Sequence, residues 1–402
     1  MSYECKECVE VSRRSFLLRS GGAFAALACA DPILRLVAST YGASSQGTGN
    51  LLVLCQLNGG LDALSFLAPF SNSVYQAKRP QLALKAADVD PLPDQPEYGI
   101  NKQFQFYSEL YQQQQLAIVQ QVAYPDSNGS HFESQEIYEF GVRNLGASPA
   151  ANVRWYERLR KTYFDEPYGV LDTRKIGDPR NYGYPDKTYH KAAQEAFGRL
   201  ARLKTGQTDA QQKVLDAYRH IDEIGAEIRE RTQSFNSSGP ARGEFFRAAM
   251  LAYAGLGTQI IKLEYGGFDT HGNQAEANAQ LFPSLDAQFR QFVDDCKAMG
   301  IWERTCVLFY SEFGRRNEEN GSPGTDHGHG GHMILAGPGV NPGLFGQRVT
   351  SSDLNRGNLP HYVDFRAVFS ASIRDWLGFD PAPIFSLPGE SFDSSTGGAL
   401  FR

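Results

Sequence analysis

The residues of this chain that could do chemistry fall into four short segments, each directly after an apolar run. Five of the eight histidines lie in these segments, accompanied by aspartate and glutamate. Imidazoles mixed with carboxylates are ligands that suit Zn, Mn or Fe better than Ca or Mg alone. The pattern therefore predicts a transition-metal site.

Two of the segments give specific ligand candidates. Asp269 and His271 occupy alternate positions, so on an extended segment both side chains point the same way and could share one metal. Asp326, His327 and His329 lie in a glycine-rich loop. A flexible loop gains little structurally from several imidazoles, so metal binding explains this cluster better than a polar structural loop does.

Asp62 and Ser130 are open to two interpretations. Asp62 follows Asn-Gly-Gly-Leu and is either functional or a turn residue. Ser130 comes after the turn-forming run 126–129 and precedes a helical pattern, so it is either functional or a helix N-cap.

The elements that must position these residues are short strands alternating with helices. Unbroken apolar runs, typical of strands buried on both faces, cover residues 51–57, 116–122, 258–263, 305–310 and 333–336. Helical patterns cover 104–114, 189–234, 274–299 and 362–377. This alternation predicts an α/β fold, a three-layer sandwich with a mostly parallel central sheet. Ligands of such sheets bind at the carboxyl ends of the strands, so the four segments are expected to meet there.

Three regions lie outside this alternation. The long pattern near 189–234 is predicted to be a helical insertion laid against the core, either as packing or as a cap over the site. Residues 85–101 contain Pro91, Pro93 and Pro96 and are predicted to be a loop excursion. The tail from Pro381 onward is rich in Pro, Gly and Ser and is expected to wrap the surface.

Composition narrows the class of protein. With 402 residues, 41% of them hydrophobic and 21% charged, the chain is typical of globular proteins and fits one large domain. A net charge of −6 and the lack of basic runs argue against a nucleic-acid partner. Past the N-terminal region no apolar run reaches membrane-spanning length. Only Cys55, Cys296 and Cys306 lie beyond it, and this odd number excludes disulfides as the organising principle.

Residues 1–42 are organised like an export signal. Arg13 and Arg14 stand in Ser-Arg-Arg-Ser-Phe-Leu-Leu, which resembles the bacterial twin-arginine motif. The following apolar stretch of roughly ten residues is too short for a permanent transmembrane helix, which favours a removable signal over an anchor. The alternative is an amphipathic helix with a chance arginine pair. The signal predicts that the twin-arginine translocase exports an already folded domain, residues 43–402, to the periplasm or the extracellular space.

A family resemblance is carried by motifs along most of the chain. They are Gly59-Gly60-Leu61-Asp62, Ser130-His131-Phe132 with Gln135, the run from Gly266 to Gln274, Ser311-Glu312-Phe313-Gly314-Arg315, Gly324-Thr325-Asp326-His327, and the runs 364–368 and 374–378. In these motifs the chain resembles the exported bacterial domain-of-unknown-function 1501 family, placed in the alkaline-phosphatase-like superfamily.

The resemblance implies an alkaline-phosphatase-like fold and a mechanism. Enzymes of the superfamily hold two metals, roughly 4 Å apart, that clamp a phosphoryl or sulfuryl group. Asp62 would bind one metal, and Ser130 would be the nucleophile. Asp269 and His271 would bind the second metal, completed by a histidine of the late loop. The implied activity is hydrolysis of a phosphate or sulfate ester, with a small molecule or polymer as substrate and one or two divalent ions, Zn or Mn, as cofactor.

One position departs from the superfamily pattern. The fourth strand normally ends in Ser-Asp-His-Gly, whereas here it ends in Ser-Glu312-Phe313-Gly. Glu312 can bind a metal, but Phe313 cannot. Either Asp326 and His327 substitute for the missing pair, or they form the late histidine site and leave the first metal short of ligands.

Three functions are therefore compatible with the sequence. The first is a metal-dependent ester hydrolase with a covalent intermediate on Ser130. The second is a non-catalytic metal-binding or ligand-binding relic of the fold, for which Phe313 argues. The third is a metal-free serine hydrolase, against which the absence of a G-x-S-x-G motif argues.

The signal generates the first testable prediction. Replacing both Arg13 and Arg14 by Lys is expected to leave the unprocessed protein in the cytoplasm, because recognition of a guanidinium pair is not reproduced by ammonium groups. Cell fractionation measures the outcome, and Arg19→Lys, outside the pair, is the control that should be exported normally. Normal secretion of the double variant would contradict the twin-arginine interpretation.

Overall fold

The computed structural model describes residues 49–145, 153–164, 169–176, 227–236 and 243–402. The predicted signal, residues 1–42, lies outside the described residues, and so does most of the predicted insertion near 189–234. Of that insertion, residues 227–232 are described and are helical.

Eleven strands are present in the described residues. They are β1 Leu51–Asn58, β2 Leu67–Ala68, β3 Val89–Leu92, β4 Gln95–Asn101, β5 Leu116–Ala123, β6 Val170–Asp172, β7 Ile260–Gly266, β8 Thr305–Tyr310, β9 Gly331–Ala336, β10 Gly343–Gly346 and β11 Val363–Asp364. Eight of them form the central sheet in the order β10-β5-β9-β8-β1-β7-β6, with β11 paired to the end of β5. β9 is antiparallel to both its neighbours, β5 and β8, and the other pairs of this sheet are parallel.

Helices cover both faces of this sheet. They are α1 Ala63–Phe66, α2 Ser73–Lys78, α3 Gln105–Gln112, α4 His131–Phe140, α5 Trp155–Tyr163, α6 Thr173–Ile176, α7 Glu244–Tyr253, α8 Gln274–Ala298, α9 Ser351–Leu354, α10 Phe365–Ala371, which continues as a π-helical turn Ser372–Trp376, and α11 Ala382–Phe385. Successive residues of β1 point to opposite faces of the sheet and belong to two separate hydrophobic clusters. Val53 belongs to the cluster that includes residues of α3, α7 and α8. Leu54 belongs to the cluster that includes residues of α4, α5 and α10. The predicted three-layer α/β architecture with a mostly parallel central sheet is confirmed.

The five predicted strands of the sheet are observed within a few residues of their expected bounds, because each is buried on both faces. The prediction of a loop over residues 85–101 was wrong. This segment forms the β3–β4 hairpin of a small sheet in the order β2-β4-β3. Pro91 is tolerated there because β3 is an edge strand with an irregular register next to this residue. Within the described residues, no helix is long and apolar enough to cross a membrane.

A buried ion pair ties the C-terminal tail to the sheet edge from which α4 departs. Asp364 ends β11 and lies beside Ala123, the last residue of β5. The buried guanidinium of Arg366 binds Asp364 at 2.8 Å and Glu390 of the tail at 2.5 Å. The run 364–368, noted in the sequence as a family motif, therefore joins the C-terminal tail to the end of β5.

The second prediction concerns His332, which begins the antiparallel strand and is buried opposite Gln120. Burial disfavours the imidazolium and lowers the pKa of His332 to about 4. The negative charge of Asp62 acts to raise this pKa, but burial outweighs it. A lowered folded-state pKa means that the unfolded chain binds the proton first, near pH 6.5. The free energy of unfolding should therefore fall between pH 6.5 and pH 4, by at most about 3 kcal/mol from this residue.

Urea denaturation across this pH range, on the parent protein and on His332→Gln, measures the contribution. The variant is expected to lose stability less steeply on acidification, since glutamine does not titrate. Identical slopes in the two proteins would contradict the assignment.

Candidate metal centre

The four predicted segments meet at one edge of the sheet. Strands β1, β5, β7 and β8 run in the same direction and end at this edge, and β9 begins there because it runs the opposite way. The loop between β8 and β9, residues 311–330, consequently lies across the ends of the other strands.

Three imidazoles converge there on one carboxylate oxygen of Asp269. The candidate ligand atoms of His131, Asp269 and His327 all lie within 4.8 Å of one another. The Nε2 atoms of His131 and His327 are 3.5 and 3.1 Å from Oδ1 of Asp269. His271 completes the group, with its Nε2 at 3.0 Å from the same oxygen and 2.9 Å from Nε2 of His327. We call these four residues the histidine–aspartate cluster.

Each of the three imidazoles has an outer partner that can accept a hydrogen bond at Nδ1. Nδ1 of His131 lies 2.7 Å from a Glu312 carboxylate oxygen, and Nδ1 of His327 lies 2.7 Å from the Gly129 carbonyl oxygen. Nδ1 of His271 lies 3.4 Å from the Asp326 carboxylate. The tautomer with its hydrogen on Nδ1 is therefore the one that uses these partners and leaves each Nε2 free for a metal.

Each neutral ring then directs an Nε2 lone pair toward the Asp269 oxygen. Lone pairs of nitrogen and oxygen at this separation repel one another unless a cation or extra protons lie among them. Nε2 of His131 is buried and has no hydrogen-bond partner within the described residues. Three imidazole nitrogens and one carboxylate oxygen are also a ligand set that zinc and neighbouring transition metals accept. The residues therefore fit a divalent transition metal.

Asp269 is held in its ionised form. Partial burial would raise its pKa, but the hydrogen bond and positive charge of Arg315 outweigh burial and lower the pKa to about 2. The carboxylate is thus available as a metal ligand at any physiological pH.

Arg315 positions Asp269 and joins the strand ends. Its side chain is fully buried and donates 2.6 Å to Oδ1 of Asp269. The same guanidinium donates to backbone carbonyls of the turn after β1, at Gly59 and Gly60, of the turn after β7, at Phe268, and of the late loop, at Thr325. One side chain therefore fixes three segments of the site relative to one another.

Glycine is required where two of these turns touch. Gly59 has a φ of +117°, and a Cβ placed there would lie 2.4 Å from the backbone nitrogen of Asp269. Its own N–H donates to Glu312 at 2.9 Å. Close approach of the β1 and β7 turns thus depends on the absence of a side chain at residue 59.

Phe313, which follows Glu312 in the loop after β8, packs against the cluster. Its ring is buried, with centroid distances of 4.8 Å to His131 and 4.7 Å to His327. It cannot bind a metal, but its contacts restrict the orientation of two of the three imidazoles.

The structure places the remaining candidate ligands at different depths. Glu312 and Asp326 lie behind His131 and His271, as hydrogen-bond partners of their Nδ1 atoms. The His329 side chain is exposed and is not part of the cluster. The backbone carbonyl oxygen of His329 accepts a hydrogen bond from the Gly314 N–H.

Asp62 lies apart from the cluster in a buried ion pair. Arg79 donates to its two carboxylate oxygens at 2.5 and 3.1 Å. Gln274 and Ser65 each donate to Oδ2 at 2.6 Å, and the Leu64 N–H is capped by Oδ1. Burial alone would raise its pKa, but the charge and hydrogen bonds of Arg79 lower it. The carboxylate of Asp62 is thus satisfied by protein donors.

Ser130 is the N-cap of α4, and its Oγ accepts a 3.4 Å hydrogen bond from the Glu133 N–H. Its two neighbours both contact the cluster, Gly129 through the carbonyl that binds His327 and His131 through its ring. The hydroxyl is therefore held at the start of α4, in the residue between Gly129 and His131.

Sequence reasoning gave no ligand role to His131, although it noted the Ser-His-Phe motif. The histidine occupies the first position of α4, where the helix directs it toward Glu312. The signals in the sequence were its place in one of the four segments that follow apolar runs and its position next to Ser130.

The third prediction compares two neighbouring arginines. Arg315→Lys is expected to lower the free energy of unfolding by about 3 kcal/mol or more, because an ammonium group cannot replace five donors directed at buried acceptors. Arg316→Lys is the matched control, since Arg316 is half exposed and its nearest carboxylate, Glu318, is 4.0 Å away. It should change stability by less than about 0.5 kcal/mol. Equal stabilities of the two variants in urea denaturation would contradict the role given to Arg315.

Similarities to solved structures are distant. A crystal structure titled "Ps i-CgsB in complex with k-i-k-neocarrahexaose" is 13% identical, with a TM-score of 0.35, and the match covers 85% of this chain and 77% of that one. The zinc complex of the C-terminal periplasmic domain of EcEptC from Escherichia coli is 10% identical, with a TM-score of 0.33, over 87% of this chain and 89% of that one. No curated protein sequence matches the chain.

A family model does match. The model described as "Protein of unknown function (DUF1501)" aligns with residues 182–385, about half of the 402-residue chain. The matched range includes Asp269, His271 and His327 of the cluster, together with Arg315. The chain belongs to the DUF1501 family of proteins of unknown function.

Proposed function

We propose that this protein binds one divalent transition metal, Zn or Mn, and hydrolyses a phosphate or sulfate ester. The ligands would be His131, Asp269 and His327, with His271 as the fourth. The observation that carries the proposal is the convergence of three imidazole Nε2 atoms on the ionised Asp269 oxygen, at separations of 3.0 to 3.5 Å. A metal bound there supplies Lewis-acid polarisation of the ester group.

One ion is favoured over two by the position of Asp62. In a two-metal arrangement Asp62 would belong to the first metal, but its carboxylate is engaged by Arg79, Gln274 and Ser65. Glu312 in turn binds His131 and the Gly59 N–H. We therefore assign Asp62 a structural role, and Glu312 the role of orienting His131.

Ser130 is the proposed nucleophile. Its Oγ would form a bond to phosphorus or sulfur as the bond to the alcohol oxygen breaks, and the serine proton leaves with the alcohol. Water then hydrolyses the covalent intermediate and releases the inorganic acid. The position of Ser130 between two residues that contact the cluster supports this role. The start of α4 also favours the developing anion.

Export fits the same proposal. A domain carried by the twin-arginine translocase folds before it crosses the membrane, so its metal can be acquired in the cytoplasm. The mature protein would then act in the periplasm or outside the cell, on a small-molecule or polymer ester.

A non-catalytic metal-binding protein is the second candidate. The observation in its favour is that the Ser130 hydroxyl caps α4, which is a sufficient structural reason for a serine at this position. The two functions share the metal and differ in what Ser130 does.

The fourth prediction separates these functions with Ser130→Asn. Asparagine is as good an N-cap as serine, so the variant should keep its stability, whereas Ser130→Ala should lose about 1 kcal/mol. If Ser130 is the nucleophile, both variants should hydrolyse 4-nitrophenyl phosphate or 4-nitrophenyl sulfate at least about 1,000-fold more slowly than the parent protein. Parent-like turnover in Ser130→Asn would contradict the covalent mechanism.

Metal content is measured on the same preparations, purified without chelator. About one Zn, Mn or Fe per chain is expected in the parent protein and in both Ser130 variants. Asp269→Asn and His327→Gln should lose the metal, and His329→Gln, outside the cluster, is the control that should keep it. A parent protein without stoichiometric metal would contradict the whole proposal.

A further inference from the structure

We infer that Phe132 is a specificity-determining residue, a platform on which a ring in the organic part of the substrate stacks. The inference rests on the proposed function and adds the class of substrate: an ester whose organic group carries a ring with an apolar face. Phe132 follows His131 in the first turn of α4, and its side chain is 83% exposed.

The fold does not use this ring. Ser134, Ile137 and Tyr138 are the residues through which α4 packs into the protein, and Phe132 and Glu136 lie on its exposed side. The other large hydrophobic residue that is exposed in the described part of the chain, Tyr362, is 45% exposed, and its hydroxyl donates 3.2 Å to Asp353. Phe132 has no such structural contact to explain it.

The metal centre itself is open, which leaves the organic part of a substrate few protein surfaces to bind. The side chains of Asp269 and His271 are about half exposed, at 50% and 47%. A substrate can therefore reach the cluster from solvent without being enclosed. Phe132, the residue after the proposed ligand His131, presents an exposed phenyl ring as an apolar surface on the same helix turn.

A flat apolar surface selects for rings. Aromatic rings and the apolar faces of sugar rings stack on such a side chain, whereas a methyl or other small alkyl group covers little of it. The site should accordingly favour aryl or sugar esters over esters of small alcohols.

The test uses the zinc-loaded full chain and measures binding by calorimetry. The probes are phenylphosphonate and methylphosphonate, which share the anionic group and differ in the ring. The parent protein is expected to bind phenylphosphonate about five- to tenfold more tightly. Phe132→Ala should reduce this preference to about one, and Phe132→Trp should keep or increase it. Tyr362→Ala is the matched control and should keep it, and all variants should retain zinc.

A parent-like preference of Phe132→Ala, both here and in the sugar pair below, would overturn the inference and leave the proposed function standing. Failure of both phosphonates to bind the zinc-loaded parent protein would instead overturn the proposed function, and this inference with it. A parallel comparison of glucose 1-phosphate with glycerol 1-phosphate distinguishes the sources of the ring. Loss of preference in this pair on Phe132→Ala identifies a sugar, and loss in the phosphonate pair alone identifies an aryl group.

Discussion

The buried guanidinium of Arg315 is the interaction on which the site depends. The parallel strands bring the ends of β1, β7 and β8 to one edge of the sheet, but this leaves several carbonyl oxygens facing one another at the edge. Arg315 donates to four of them and to Asp269. A charge of this kind is costly to bury unless its donors are paired, and here all the pairing groups belong to the loops that carry the site. The edge of the sheet and the candidate metal centre are therefore stabilised by the same contacts of Arg315.

The protein also prepares the imidazoles before any ligand arrives. Glu312, the Gly129 carbonyl and Asp326 each bind an Nδ1 atom, and Phe313 packs against two of the rings. All three Nε2 atoms consequently face one ionised oxygen, which also accepts a hydrogen bond from Arg315. Phe313, which in sequence argues for lost chemistry, thus restricts the orientation of two imidazoles of the candidate metal centre.

Much of this was predictable from the sequence. Apolar runs located the central strands, and the alternate positions of Asp269 and His271 and the glycine loop around His327 indicated the ligands. The remaining features depend on contacts between distant residues. The role of His131 depends on the rotation of α4 about its axis, and that of Asp62 on Arg79, 17 positions later, taking both its oxygens. The β3–β4 hairpin was missed because its prolines indicate a loop, whereas an edge strand can accommodate Pro91.

The central claim is that one metal joins the strand-end segments through the histidine–aspartate cluster. Anomalous diffraction at the absorption edge of the bound metal, from crystals of protein purified without chelator, tests it most directly. The account predicts one strong peak about 2.0–2.2 Å from Nε2 of His131, Nε2 of His327 and a carboxylate oxygen of Asp269. A peak located at Asp62, or no peak among these side chains, would contradict it.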